Sequence, residues 1–148
     1  MAYPVAVEDL IPHRDRMKLI DEIAEITADH AVTRTLVKDC WPLVREGGVD
    51  PLVLIEIVAQ TAAVHVSGQK RGEQKGAGSG LLAGIKNADF LADRIPLGTV
   101  LTTTVAPLYS AENYTVLAGT VQGQDRTLGR VEIQVIEIGN DPDTLQEP

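Results

Sequence analysis

Residues 50–69, DPLVLIEIVAQTAAVHVSGQ, form the longest apolar run of the chain and constrain everything around it. Asp50 suits the N-cap of a helix, and Pro51 suits the first helical position, where a missing N–H costs nothing. No Gly or Pro interrupts residues 52–67. The run therefore predicts a helix closing at Gly68, roughly 30 Å long at 1.5 Å per residue. Apolar side chains recur on every face, which predicts burial all round. Into that cylinder the sequence sets one carboxylate, Glu56, with Gln60 one turn later. A buried carboxylate must be paired or lose its charge, so Glu56 is the leading functional candidate.

The rest of the chain supplies strands to enclose this helix. A short helical turn is expected around Val7 to Ile11, ended by the restriction Pro12 places on Ile11. His13 follows, where a structural hydrogen bond competes with a catalytic role. Residues 23–26 and 31–37 read as two antiparallel strands about a polar turn at 28–30, with His30 in the turn and exposed. Residues 38–49 have no period and form a loop into the helix, of a length that often carries function. Residues 68–80, GQKRGEQKGAGSG, are a Gly- and Lys-rich linker. Its Lys70, Arg71 and Lys75 are either a solvated helix end or a docking point for an acidic partner. Strands are then expected at 80–91, 100–108, 114–121 and 128–138, with turns at 96–98, 112–113 and 122–126. The last strand alternates until its phase flips at Val135-Ile136, which predicts a bulge or burial on both sides. Residues 1–6 and 139–148 are expected to fray. No internal repeat is present.

A chain of 148 residues with 44% hydrophobic content predicts one globular domain. The formal charge of −8 and only five aromatics, Tyr3, Trp41, Phe90, Tyr109 and Tyr114, argue against nucleic acid and against an anionic membrane. Glu56, Gln60 and His65 argue against the helix as a membrane span. The lone Cys40 and the absence of a basic-then-apolar leader fit a cytoplasmic protein. Cys40 has no basic neighbour to activate it and reads as a buried, inert thiol. No His, Cys and carboxylate cluster has metal-ligand spacing and no Gly-rich loop opens a helix, so neither metal nor cofactor is predicted. The element order fits an α+β domain, an antiparallel sheet of five to six strands wrapped around one long helix. Its edge strand would be hidden by dimerisation.

Three segments carry a family resemblance, spanning about residues 8–138. IPHRDRMKLIDEI is similar to the opening proline-histidine-arginine segment of the hotdog-fold 3-hydroxyacyl-carrier-protein dehydratases. DPLVLIEIVAQTAA resembles their central helix, in which a Glu is followed by Ala-Gln, here Glu56, Ala59 and Gln60. LLAGIKNADFLADRIPLGT resembles the strand pair that follows. The chain is also similar to the smaller dehydratase-like proteins of aryl-polyene pigment clusters. The resemblance implies a hotdog fold and a catalytic role for Glu56 in dehydrating a 3-hydroxyacyl thioester in fatty-acid or polyene-type synthesis. The acyl-phosphopantetheine arm would thread a tunnel at a dimer interface. It further implies substrate contacts from Pro51, Leu52, Gln60, Ala83 and Gly84, and an acidic acyl carrier protein docking at Lys70, Arg71 and Lys75.

That chemistry needs a base for the proton α to the thioester and an acid for the departing hydroxyl. In the family a His fourteen positions before the Glu supplies the base; here Pro42 stands there, and no His lies between His30 and His65. Three readings follow. His13 replaces the missing His and pairs with Glu56; or Glu56 alone activates water in an acyl thioesterase; or the chain binds acyl groups, or serves as a partner subunit, without chemistry. In a heterodimer a complementary subunit could bring the missing His. His65, about 900° of helix rotation from Glu56, points to the opposite face.

Overall fold

The computed structural model describes residues 5–72 and 79–138, with backbone alone for 70–72, 79–83 and 137–138. After two single 3-10 turns at Val7–Asp9 and Asp15–Met17 come β1 (Glu22–Ile26), β2 (Ala31–Leu36), β3 (Val44–Arg45), β4 (Gly48–Val49) and α1 (Val53–Gly72). Then follow β5 (Ser79–Phe90), β6 (Ile95–Pro96), β7 (Val100–Ala111), β8 (Tyr114–Gly123) and β9 (Arg126–Ile138). Six strands form one sheet in the order β1-β2-β7-β8-β9-β5, antiparallel at every step. The expected α+β architecture is therefore present, with β1 and β5 as the two edges. Short loops dictate this order, since only hairpins can join β1 to β2 and β7 through β9. At the β8–β9 turn Gln124 and Asp125 both take positive φ, 54° and 62°, the geometry that lets a two-residue loop follow the strand twist.

Alternation along each strand puts one face against α1. Thr33, Leu101, Thr103, Val105, Leu117, Val121, Val131 and Ile133 close on Leu54, Ile57, Val58 and Ala62 of the helix, all buried. Gly119 on β8 lets the helix come this close, because a methyl there would lie 2.5 Å from Val58 Cγ1. A second apolar cluster, Val7, Leu10, Ile11, Ile20, Ile23, Ala31 and Val64, fastens the N-terminal segment to the same helix.

The structure departs from the sequence reading at several points. The helix is not buried all round: Leu52 is exposed, and Ile55, Glu56, Ala59, Ala63 and Ser67 are only half covered. One sheet curls around only part of a cylinder, and these residues lie along the uncovered stripe. Nor does the helix stop at Gly68; it continues to Gly72. Gly68 is a packing residue, for a methyl there would lie 2.9 Å from Ile26 Cδ1. The loop at 38–49 contains β3 and β4, which form a second, three-stranded sheet in the order β3-β4-β6. Strands of two residues carry no periodicity, which is why they were invisible. At Val135-Ile136 β9 keeps register with β8, with Val135 inward and Ile136 outward, 39% exposed; the irregularity falls on the other neighbour, in β5 between Leu82 and Gly84, opposite Val135 and Gln134. Cys40 is exposed, not buried. His30 is half covered and bonded through Nε2 to Glu25 Oε2 at 2.9 Å.

Candidate active site

Glu56 sits in the first turns of α1, whose entry is set by Asp50. The Asp50 Oδ1 accepts the Leu52 N–H at 2.9 Å, and the Asp50 carbonyl accepts the N–H of Val53 at 3.1 Å, a side-chain and backbone cap together. One turn beyond Glu56, Gln60 is fully buried. Its Oε1 accepts the backbone N–H of Leu19 at 3.0 Å, and its Nε2 donates to Met17 O at 2.6 Å and to Glu56 Oε1 at 2.9 Å. Both amide protons and the carbonyl are thus used, and only this orientation of the amide matches donors with acceptors. The helix spacing of four residues brings the two side chains together. The tie to Met17 and Leu19 brings the N-terminal segment over the helix.

That segment carries His13. The His13 Nε2 lies 3.2 Å from Glu56 Oε1, and both side chains are about one-third exposed, at 30% and 33%. Glu56 Oε1 therefore accepts a hydrogen bond from Gln60 Nε2 and has His13 Nε2 beside it at 3.2 Å. The ring points Nε2 at Glu56 and turns Nδ1 inward. The Nδ1 atom is buried and has no hydrogen-bond partner among the described residues. No hydrogen bond reaches Glu56 Oε2 among the described residues, and that oxygen is free to meet a ligand from the open stripe of the helix. The site is thus a half-exposed carboxylate gripped at one oxygen and free at the other.

Of the three histidines, only His13 faces Glu56. His65 is buried on the other side of α1, its Nε2 3.1 Å from Thr27 O. Burial lowers its pKa below the usual histidine value; backbone contacts at Thr27 and Ala28 oppose it, and His30 adds a smaller push in the same direction as burial. Pro42, where the dehydratases carry their His, follows the buried Trp41 and offers no titratable group. Among the described residues no group of three His, Cys, Asp or Glu side chains is arranged to hold a metal.

The other expected site residues fall out differently. Gln60 is fully buried, with every polar atom of its amide paired and one of its N–H groups on Glu56. Pro51 and Leu52 open α1 on the Glu56 side, with Leu52 51% exposed. Gly84 lies at an irregularity of β5 between Leu82 and Gly84, while the Ala83 side chain lies outside the described residues. Lys70 and Arg71 belong to the last turn of α1, but their side chains, and Lys75 entirely, also lie outside them. Sequence reasoning did not find Met17 and Leu19, which act through their backbones and so leave no mark in residue type.

A six-stranded antiparallel sheet around one long central helix defines the hotdog class. Within that class the chain matches the model of the ApeP-like family, ApeP dehydratase, over residues 5–147, and it belongs to that family. Among solved structures it is similar to the dehydratase heterocomplex ApeI:P from Xenorhabdus doucetiae, at 16% identity and a TM-score of 0.86, covering 98% of this chain and 100% of that one. A hypothetical thioesterase with coenzyme A from Streptococcus pneumoniae is 18% identical, with a TM-score of 0.63 over 80% of this chain and 85% of that one. A Streptococcus mutans protein bound to acetyl CoA is 15% identical, with a TM-score of 0.67 over 87% and 96%. No curated protein matches. Among the described residues no helix is long and apolar enough to cross a membrane.

Proposed function

We propose that the chain dehydrates a 3-hydroxyacyl thioester, carried on a phosphopantetheine arm, with Glu56 and His13 as the working pair. The observation that carries this is the 3.2 Å contact between His13 Nε2 and Glu56 Oε1 in a chain of a dehydratase family. Glu56 Oε2 takes the proton from the carbon α to the thioester. The Cβ–O bond then breaks with its electron pair going to oxygen, and the same carboxyl returns the proton to that oxygen as water leaves. Atoms balance, and Glu56 ends ionised as it began. Throughout, the Gln60 N–H holds Oε1 and the His13 ring stands against it at 3.2 Å, which limits rotation and drift of the carboxylate. In this mechanism Glu56 takes the base role of the His absent at Pro42, and His13 positions it from a different element of the same chain.

The stripe of Leu52, Ile55, Ala59 and Ala63 beside Glu56 supports an acyl or subunit contact at this face. The ApeI:P relative is a heterocomplex, and on that likeness the chain works beside a related hotdog subunit, with an acyl carrier protein as the source of substrate. The test is hydration of an enoyl thioester and dehydration of the 3-hydroxyacyl thioester by the purified chain, alone and with such a subunit. Glu56→Gln is expected to lower the rate by about 10²- to 10⁴-fold. His13→Ala is expected to lower it by at least about tenfold through loss of orientation. Full activity in His13→Ala refutes the pair, and release of free thiol in place of water identifies a thioesterase.

A further inference from the structure

Beside His13 stands Arg14, whose side chain does not reach toward Glu56. It turns back on the chain. Its Nη1 donates to Ile11 O at 2.7 Å and to His13 O at 2.8 Å, and its Nη2 donates to Glu8 O at 2.9 Å. One planar guanidinium thus gathers three carbonyls from both sides of Pro12. Two of them belong to residues at the 3-10 turn Val7–Asp9 and its exit, where Val7, Leu10 and Ile11 are at most 5% exposed. An ion pair between Lys18 and Glu8 adds a second tie to the same turn. The carbonyl of His13 is therefore joined, through Arg14, to an apolar anchor.

We infer that Arg14 is a positioning residue that holds the His13 peptide, and with it the imidazole, in register with Glu56. The inference rests on the His13–Glu56 reading above. The peptide of His13 has no other hydrogen bond to that anchor among the described residues. Release of the guanidinium leaves rotation about the His13 backbone free to swing the ring away from Oε1. Lysine cannot substitute, because an ammonium is a compact point charge, whereas the guanidinium fork reaches several acceptors held in one plane.

Nitrogen NMR of the three histidine rings in the full chain tests this directly. In the wild type the contact of Nε2 with Glu56 sets the His13 ring-nitrogen signals apart as an unequal pair. In Arg14→Ala that pair collapses toward the averaged signals of a free imidazole, while His30 and His65 keep theirs, which reports an intact fold. Arg14→Lys follows Arg14→Ala. In the dehydratase assay both variants lose about 10- to 100-fold in kcat, with KM within about twofold. An unchanged His13 pair in Arg14→Ala overturns the inference, as does a wild-type pattern in Arg14→Lys. If Arg14→Ala also disturbs His30 and His65, Arg14→Gln, which keeps the stem and an amide donor, replaces it under the same criteria. The ring readout does not depend on turnover. Full activity in His13→Ala therefore removes the catalytic reading, whereas a silent Arg14→Ala spectrum removes only the inference.

Discussion

Replacing Gln60 by Leu removes three hydrogen bonds without opening a cavity, since the two side chains are of similar size. The Leu19 N–H loses its partner in the interior, whereas Met17 is 48% exposed and its carbonyl can turn to water. Leu19 itself is fully buried, so water cannot repair its N–H. An unsatisfied buried donor costs about 1–3 kcal/mol, which places Gln60→Leu at about 1–3 kcal/mol less stable. The lost bond to Glu56 adds little to this, because that carboxylate is one-third exposed and water can replace the donor. A domain of ordinary stability, about 5–15 kcal/mol, survives the change but loses a large fraction of its margin. Urea denaturation at fixed protein concentration, read as the midpoint at unchanged slope, measures it. Gln60→Glu sharpens the test: it keeps the acceptor for Leu19 but sets an oxygen against Met17 O and a second carboxylate against Glu56, and is expected to be worse at neutral pH. A Gln60→Leu midpoint within about 0.5 kcal/mol of wild type refutes the bond-by-bond reasoning.

Gly119→Ala should destabilise by about 1–3 kcal/mol, because the added methyl meets Val58 at a distance no packed pair tolerates and α1 must lift from the sheet; a midpoint equal to wild type disproves the close approach. His65 supplies a pH dependence. Burial lowers its pKa in the folded chain from the ordinary value of 6.5. The unfolded chain therefore binds its proton first as pH falls. The contribution is complete above 6.5 and is lost as pH drops from there through the folded value. His65→Leu should flatten that acid limb of stability against pH, with Thr27 O still held by Gln69 Nε2 at 2.7 Å. An identical limb in the variant assigns the acid sensitivity to other groups.

Much of the architecture was legible because it rests on local patterns. Asp50-Pro51 announced the helix, and period-two alternation announced the strands, since both express constraints acting within a few residues. The failures share one cause. Gly68 signalled a helix end by its propensity, but a Gly costs only about 1 kcal/mol in a helix, and contact with Ile26 outweighed it. Strands β3, β4 and β6 are too short for any period. Cys40 was placed inside by its chemistry, yet nothing in the neighbouring residues says which way that loop faces.

The candidate site divides along the same line. Sequence alone determined that Glu56 and Gln60 share a helix face, since four residues of helix bring any two side chains together. It determined equally that His65 must point away from them. Only tertiary structure decided that His13, separated from Glu56 by the four strands β1 to β4, comes to 3.2 Å from its carboxylate. Only tertiary structure left that helix face half open, where apolar composition had foretold complete burial. Helical neighbours are a property of the backbone repeat. A contact across forty residues, and the side of a helix left uncovered, depend on how the sheet curls and where each loop returns, and no short window of sequence contains either.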